Sequence, residues 1–172
     1  RRVVIAIAMA CNPELIIGDE PTTALDVTIQ AQILALIAEL VFEENMSLIL
    51  ITHDLGVVAE NTDEMLVMYA GRIVERGPTK NVFKNLAHPY TRGLFASIPD
   101  SEKVNSEQGL QSEYSQTNRL STIPGRVPEF WERSKGCSFA DRCPRVQPQC
   151  SSQVPEEIQL GTAHSTACFF HY

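Results

Sequence analysis

Two pairs of polar residues follow short apolar runs of the chain. The run Leu15 to Gly18 leads into Asp19-Glu20, and the run Ser47 to Thr52 leads into His53-Asp54. Because ligands bind beyond the carboxyl ends of the strands in an open parallel sheet, neighbouring strands would bring both pairs to one crevice. There Asp19 offers the oxygen ligands that magnesium prefers, and Glu20 can act as a general base toward water. The alternative is that both acids only cap a helix or line a turn.

The segments around these pairs predict the elements that position them. Leu15 to Asp19 and Ser47 to Thr52 have the short apolar character of buried parallel strands. Asp26 and Asp54 are favourable helix N-caps. Apolar residues spaced by three and four form one helical stripe after Asp26, at Ile29, Ile33, Leu34, Ile37, Leu40 and Val41. Residues 3 to 11 fit either a buried strand or a buried helix.

Further along the chain the elements become shorter. Two strands, Glu64 to Tyr69 and Arg72 to Glu75, flank Ala70-Gly71, which predicts a hairpin turn. Pro78 to Lys84 and Pro89 to Ser97 are typical of short helices. The alternation of strands and helices predicts an α/β fold with a parallel sheet. From about residue 101 to 122 the chain is polar and irregular, which predicts a linker.

Composition and charge exclude some classes of protein. The apolar fraction of 44% and the charged fraction of 20% are typical of a soluble globular protein. The net charge is -7, with 7 basic and 13 acidic residues in the first 100 positions, so we expect no nucleic acid partner. The longest apolar run, Val3 to Cys11, is shorter than the roughly 20 residues of a membrane helix. The chain opens on Arg1-Arg2 without a signal peptide or an initiating Met, so we expect Arg1 to be a cut edge.

Two motifs extend the polar pairs. They are Glu20-Pro21-Thr22-Thr23-Ala24-Leu25-Asp26 and, starting 32 residues after Asp19, Ile51-Thr52-His53-Asp54. In this order and spacing they resemble the ATP-binding subunits of ABC transporters, over residues 1 to about 99. The resemblance implies the α/β fold of a partial P-loop NTPase (ABC ATPase) core, with parallel strands and flanking helices. It also implies ATP and Mg²⁺ as cofactors.

By that resemblance each polar residue takes a role. Asp19 ends the Walker B strand and binds Mg²⁺, Glu20 is the catalytic base, and His53 is the switch histidine that contacts the γ-phosphate. Asp26 counts among the nucleotide-binding residues because Ala24-Leu25-Asp26 resembles the D-loop, which touches the opposite nucleotide site across a dimer. Arg1 to Ala10 resembles the helix that follows the family's LSGGQ-type segment. Gly18 departs from the family pattern, which has Ala or another small residue there.

The phosphate-binding half of such a site is missing from the sequence. None of the nine glycines fits G-x-x-x-x-G-K-[ST], the loop whose backbone N–H groups and lysine hold the phosphates. The Gln loop and the LSGGQ segment are also missing. Phosphoryl transfer depends on positioning and charge stabilisation. We therefore expect these 172 residues alone to show no ATPase activity above background.

Four of the five cysteines lie close together in the sequence. Cys11 is separate, whereas Cys137, Cys143, Cys150 and Cys168 follow the spacing C-x5-C-x6-C-x17-C. A secreted chain would use such a set for disulfides, but no secretory signal is apparent. Four thiolates suit a tetrahedral zinc ion or a [4Fe-4S] cluster. The remaining interpretation is a set of reduced thiols in a small core.

Three further motifs narrow the family. His88-Pro89-Tyr90-Thr91-Arg92, Ile123-Pro124-Gly125 and the stretch Gly136 to Pro144 resemble the carboxyl-terminal extension of the oligopeptide, dipeptide and nickel importer ATPases. The similarity runs from about residue 78 to the end. It implies peptides as substrates, with nickel as the alternative, and a [4Fe-4S] cluster on Cys137, Cys143, Cys150 and Cys168. Lys135, Arg142 and Arg145 would offset the charge of the thiolates.

These resemblances divide the chain in two. Residues 1–77 are expected to be the carboxyl-terminal part of an ABC ATPase domain, and residues 78–172 an irregular extension with the linker at about 101–122 and the cysteine cluster at 137–168. Of the remaining side chains, we expect His164 and His171 to be exposed. Phe130 and Trp131 are expected to pack the extension against the ATPase body.

The function implied is that of an ATP-hydrolysing subunit of an ABC importer for dipeptides or oligopeptides. Its partners would be a second ATPase subunit, membrane permease subunits and an extracytoplasmic substrate-binding protein, and it would lie peripherally on the cytoplasmic face of the cell membrane. One alternative is a nickel importer ATPase. Another is a non-hydrolysing iron–sulfur or zinc module acting in assembly or regulation.

Overall fold

The computed structural model describes residues 1–98 and 122–172. These residues form two compact units, Arg1–Thr62 and Asp63–Tyr172. The predicted linker lies outside the described residues, apart from Thr122.

The first unit is a pair of parallel strands with three helices. Its elements are α1 (Arg2–Met9), β1 (Leu15–Asp19), α2 (Val27–Glu43), β2 (Ser47–Ile51) and α3 (Leu55–Asn61). The two strands pair in parallel from Leu15↔Ser47 to Asp19↔Ile51, so their carboxyl ends are level. The predicted strands and helices are therefore present here, and the ambiguous residues 3 to 11 are helical up to Met9. The expectation that these elements are buried is wrong, because every second residue of β1 and β2 is exposed and α1 has no buried residue.

The two predicted N-caps define where helices begin in this unit. The Asp26 carboxylate accepts the backbone N–H of Ile29 at 3.0 Å. The Asp54 carboxylate accepts the N–H groups of Gly56 at 2.9 Å and Val57 at 3.1 Å. Each cap satisfies donors that the first turn of a helix leaves unpaired. As a result, α2 starts directly after Asp26 and α3 directly after Asp54.

The second unit is built on an antiparallel sheet. Its elements are β3 (Glu64–Tyr69), β4 (Arg72–Pro78), α4 (Thr79–Lys84), α5 (Pro89–Ala96), α6 (Pro148–Ser152), β5 (Ile158–Gly161) and β6 (His164–Thr166), with 3-10 turns at Phe130–Glu132 and Ala140–Arg142. The strand order is β3-β4-β6-β5. Ala70 and Gly71 both have positive φ, of 46° and 77°, as a tight hairpin turn requires. The extension is thus less irregular than predicted, because β5 and β6 complete the sheet that β3 and β4 begin.

An aromatic cluster forms the core of this unit. The ring of Phe139, which is buried, lies 5.1 Å from the ring of Tyr69 on β3 and 5.3 Å from that of Tyr90 on α5. The cluster therefore joins the sheet, α5 and the cysteine-containing segment. Trp131 is 80% exposed, so the structure does not support the expected role of its ring in packing the extension. Among the described helices there is none with the length and apolar character needed to cross a membrane.

Candidate functional site

The ends of β1 and β2 bring Glu20 and His53 into contact. The parallel ladder continues one step past β1, because the backbone N–H of Glu20 donates to the carbonyl of Ile51 at 2.9 Å. His53 follows β2 two residues later, and its Nδ1 lies 2.9 Å from the Glu20 Oε1. The two residues predicted to activate water are therefore direct neighbours at the carboxyl edge of the parallel strands.

Thr23 is a third member of this site, and its motif in the sequence did not indicate that role. Its hydroxyl donates to the other carboxylate oxygen of Glu20, Oε2, at 2.5 Å. The Arg1 guanidinium in turn donates to the Thr23 carbonyl at 3.1 Å. Glu20 itself has a φ of 45°, a conformation that is uncommon outside glycine. The signal that would have found Thr23 is its position three residues after the base, within a tight turn.

These contacts set the charge state of the pair. The hydrogen bond from Thr23, followed by that with His53, lowers the pKa of Glu20 below its ordinary value. The hydrogen bond with Glu20 raises the pKa of His53 above its ordinary value. The carboxylate is therefore ionised at neutral pH, and His53 keeps its proton to a higher pH than a free imidazole does. The His53 side chain is 79% exposed, so its other edge is open to a ligand.

The two acids assigned to nucleotide and magnesium are placed differently. Asp19 ends β1 opposite Ile51 and is exposed beside Glu20 in the chain. Asp26 is also exposed, and its carboxylate caps α2, which confirms the predicted N-cap. Across the described residues, there is no group of three or more His, Cys, Asp or Glu side chains arranged to hold a metal ion.

The four clustered cysteines line one cavity in the second unit. Its wall also includes His88, Phe139 and Arg145. Burial raises the pKa of the Cys137 and Cys143 thiols and raises that of Cys168 to about 11. These thiols are therefore protonated at neutral pH, and burial in apolar surroundings keeps them unreactive.

The backbone brings the cysteines close together. The N–H of Cys137 donates to the carbonyl of Cys150 at 2.7 Å, and the N–H of Arg145 donates to the sulfur of Cys143 at 3.4 Å. Gly136 allows this approach, because a Cβ there would lie 2.2 Å from the Cys150 carbonyl oxygen. The quartet thus converges as predicted from its spacing, yet the described donors do not form a ready ligand set. The [4Fe-4S] prediction is therefore not supported as it stands.

Two of the predicted basic residues, Arg145 and Arg142, have different contacts. Arg145 lies on the cavity wall, as expected for a residue that offsets thiolate charge. The Arg142 guanidinium instead donates to the carbonyls of Pro124 at 2.7 Å and Ile123 at 3.1 Å, and to the Tyr69 hydroxyl at 3.3 Å. Arg142 therefore ties the segment around Pro124 to the sheet.

A buried acid–histidine pair supports the start of α5 next to the cavity. The Glu75 carboxylate on β4 accepts the backbone N–H groups of Ala87 at 2.8 Å and His88 at 2.9 Å. Its third partner is the Nε2 of His164 on β6, at 2.9 Å. Both side chains are buried, so the expectation that His164 is exposed is wrong. The sequence signal for this pair is weak, since a single Glu in a strand looks like a solvent-facing residue.

Comparison with known proteins first gives the class. The chain is 43% identical over 171 residues to the oligopeptide transport ATP-binding protein of Bacillus subtilis, matching 99% of this chain and 48% of that protein. It is 44% identical over 172 residues to the dipeptide transport ATP-binding protein of Escherichia coli, matching all of this chain and 48% of that protein. A solved structure, cbiO1 of the Clostridium perfringens ABC transporter complex cbiONQ, matches at 36% identity with a TM-score of 0.46, over 48% of this chain and 33% of that one. The sequence relatives define the class as the ATP-binding proteins of transporters.

A family model then gives the particular group. Residues 74–150 match the model described as "Oligopeptide/dipeptide transporter, C-terminal region". Together with the relatives, this match shows that the chain is similar to the oligopeptide/dipeptide family of ABC transporter ATP-binding proteins. The chain spans about half the length of the curated relatives it matches.

Proposed function

We propose that this chain is the water-activating part of an ATPase subunit in an ABC importer of short peptides. The observation that carries the proposal is the 2.9 Å contact between Glu20 and His53 at the carboxyl ends of two parallel strands. The names of the relatives favour peptides over nickel, since those reported above are oligopeptide and dipeptide transport proteins.

In this proposal Glu20 takes the proton of the attacking water. Each of its carboxylate oxygens already accepts one hydrogen bond, from Thr23 or His53, and each keeps a second lone pair for water. His53 holds the carboxylate in place and presents its exposed edge to the γ-phosphate. Asp19 would hold Mg²⁺, which supplies charge neutralisation at the phosphates. Because no P-loop motif occurs in the 172 residues, other residues must hold the phosphates.

The partners and location follow from the same proposal. ATP would lie between this subunit and a second ATPase subunit, with Asp26 near the opposite nucleotide. Membrane permease subunits would convert closure and reopening of the ATPase pair into transport, and an extracytoplasmic binding protein would deliver the peptide. The subunit would lie on the cytoplasmic face of the membrane, held by these partners.

A chimera tests the function directly. Residues 1–172 would replace the aligned segment of the E. coli dipeptide transport ATP-binding protein, with which they share 44% identity. We expect the chimera to hydrolyse ATP and to support growth on a dipeptide in a strain lacking that protein. Glu20→Gln should lower turnover by about 10²–10⁴-fold, the usual contribution of a general base, while ATP binding remains.

The matched control is Glu60→Gln, which changes an exposed acid of the same unit on α3. It should leave both turnover and growth unchanged. Normal hydrolysis by the Glu20→Gln chimera would remove Glu20 from the role of base. An inactive chimera that still binds ATP and its partners would count against the function as a whole.

We also propose that Cys137, Cys143, Cys150 and Cys168 bind a metal centre, a [4Fe-4S] cluster in preference to zinc. The support is that all four thiols line one cavity, with Arg145 on its wall. Four sulfur donors suit either centre, so the residues fit in chemical kind. Since the described donors are not yet grouped for ligation, binding must draw the side chains together and displace their protons.

Anaerobic purification of the chain tests the metal centre. Iron analysis and visible absorption should report a cluster, and Cys150→Ser should abolish it. Cys11→Ser is the matched control, because Cys11 is exposed and lies in the other unit. Protein free of both iron and zinc would overturn the proposal, and zinc alone would overturn the preference for a cluster.

A further inference from the structure

His88 is the N-cap of α5, and that role fixes its tautomer. Its Nδ1 accepts the backbone N–H of Tyr90 at 3.0 Å. An imidazole nitrogen that accepts a hydrogen bond carries no proton, so a neutral His88 must carry its proton on Nε2. Burial lowers the pKa of His88 to about 4, and the ring is therefore neutral at pH 7.

The Nε2 of His88 has no hydrogen-bond partner in the part of the chain that the structure describes. The residue is 1% exposed, so bulk water does not hydrogen-bond to that nitrogen. Buried polar groups are nearly always paired, and an unpaired N–H loses its hydration without compensation. This donor therefore calls for an acceptor that the described protein atoms do not supply in their present positions.

His88 is also held too firmly to turn toward solvent. Its backbone N–H and that of Ala87 are bound by the buried carboxylate of Glu75. Its ring packs against the ring of Phe139, with centroids 5.8 Å apart. The ring position is thus imposed by the fold, and the unpaired donor is part of it.

The cavity beside His88 offers one kind of acceptor. His88 lies on the same wall as Cys137, Cys143, Cys150 and Cys168. Protonated thiols are weak acceptors, whereas metal-bound thiolates and the sulfides of a cluster carry negative charge. One N–H of the chain already donates to sulfur in this cavity, from Arg145 to Cys143 at 3.4 Å.

We infer that the Nε2–H of His88 donates a hydrogen bond to a sulfur of the metal–thiolate centre in the cysteine cavity. The inference rests on the metal centre proposed above. His88 is then a positioning residue and not a ligand, because four thiolates already complete a tetrahedral set. Donors to ligating sulfur hold the ligands in place and tune the centre.

The test uses Co²⁺, a coloured probe of thiolate sites, added anaerobically to the reduced, metal-free chain. His88→Asn retains an N-cap acceptor but is too short to reach as far as the imidazole Nε2. We expect the His88→Asn variant to bind Co²⁺ at least tenfold more weakly, because it has lost a hydrogen bond to a metal ligand. Its four-sulfur spectrum should be unchanged. His171→Asn is the control: His171 does not line the cavity and should leave the affinity unchanged.

A second measurement does not depend on any variant. With Zn²⁺ bound to ¹⁵N-histidine-labelled protein, the Nε2 proton of His88 should persist and shift downfield. Loss of that proton, with a three-sulfur, one-nitrogen spectrum, would make His88 a ligand and overturn the inference. Equal affinity of wild type and His88→Asn would overturn it while leaving the metal centre intact. A wild-type chain that binds no metal would overturn both.

Discussion

The buried carboxylate of Glu75 provides the sharpest test of what stabilises the second unit. Replacing it by Ala removes the acceptor of three hydrogen bonds, from the N–H groups of Ala87 and His88 and from the ring of His164. Glu75 is 1% exposed, so bulk water does not reach the site to replace the lost acceptor. The change therefore leaves three polar groups buried without their partner.

The expected loss of stability follows from that count. Each buried donor left unpaired costs about 1–3 kcal/mol, which for three donors gives roughly 3–9 kcal/mol. Partial collapse and water entry reduce the sum toward the roughly 3–5 kcal/mol typical of breaking one buried pair. We expect a loss of about 4 kcal/mol for Glu75→Ala. Glu75→Gln keeps one oxygen and the side-chain volume, and should lose about half as much.

Tyrosine signals make this measurement specific to the second unit. Residues 1–62 contain no Tyr or Trp, whereas Tyr69 and Tyr90 lie in the aromatic core of the second unit. Their near-UV circular dichroism, followed through a urea titration, therefore reports unfolding of that unit alone. The free energy of unfolding is obtained by linear extrapolation for each variant.

Glu157→Gln is the matched control. Glu157 accepts from Arg76 at 2.6 Å, but its side chain is 39% exposed, so the pair should be worth less than about 1 kcal/mol. The reasoning is refuted if Glu75→Ala costs no more than this control. It is also refuted if Glu75→Gln is as stable as the wild type.

Three further outcomes follow from local geometry. Glu20→Gln should lower the pKa of His53 toward its ordinary value in an NMR titration, because the Glu20 carboxylate raises it; a His53 midpoint that does not move would contradict this. With the pair intact, its contribution to folding stability is lost as pH rises through the raised pKa of His53 and as pH falls through the lowered pKa of Glu20. Thr23→Val should raise the pKa of Glu20, read from its carboxyl carbon, since the Thr23 hydroxyl is the main cause of the lowering. Gly136→Ala should destabilise the second unit by about 1–3 kcal/mol, because its Cβ would meet a backbone carbonyl, whereas Gly161→Ala, in open space, should cost less than about 1 kcal/mol.

Much of the first unit could be predicted from the sequence. Helical periodicity after Asp26, two apolar runs and two capping acids fix local structure within a few residues of each signal, and the elements lie where these signals predict. The same local patterns, with the family resemblance, singled out Glu20 and His53 as candidates before their contact was known. Their roles in hydrolysis stay predictions.

The second unit depended more on long-range pairing. The cysteine spacing predicted a shared site, but it could not indicate that β5 and β6 would pair with β4. Nor could it indicate that Trp131 would face solvent while His164 would be buried. Exposure of a single side chain depends on elements that are far away in the sequence. The periodicity of apolar residues carries no information about those elements.

The sequence by itself determined the order of elements up to α5, the family resemblance and the residue types of both candidate sites. Only the tertiary structure showed which groups these residues contact. Thr23 donates to the second carboxylate oxygen of Glu20, and Glu75 accepts hydrogen bonds from the backbone at the start of α5. The unpaired Nε2 belongs to His88, which lines the cavity of the four cysteines. The physical reason is that local propensities depend on neighbouring residues. Hydrogen bonds between buried groups depend instead on which distant segments meet, and that is settled when the chain packs.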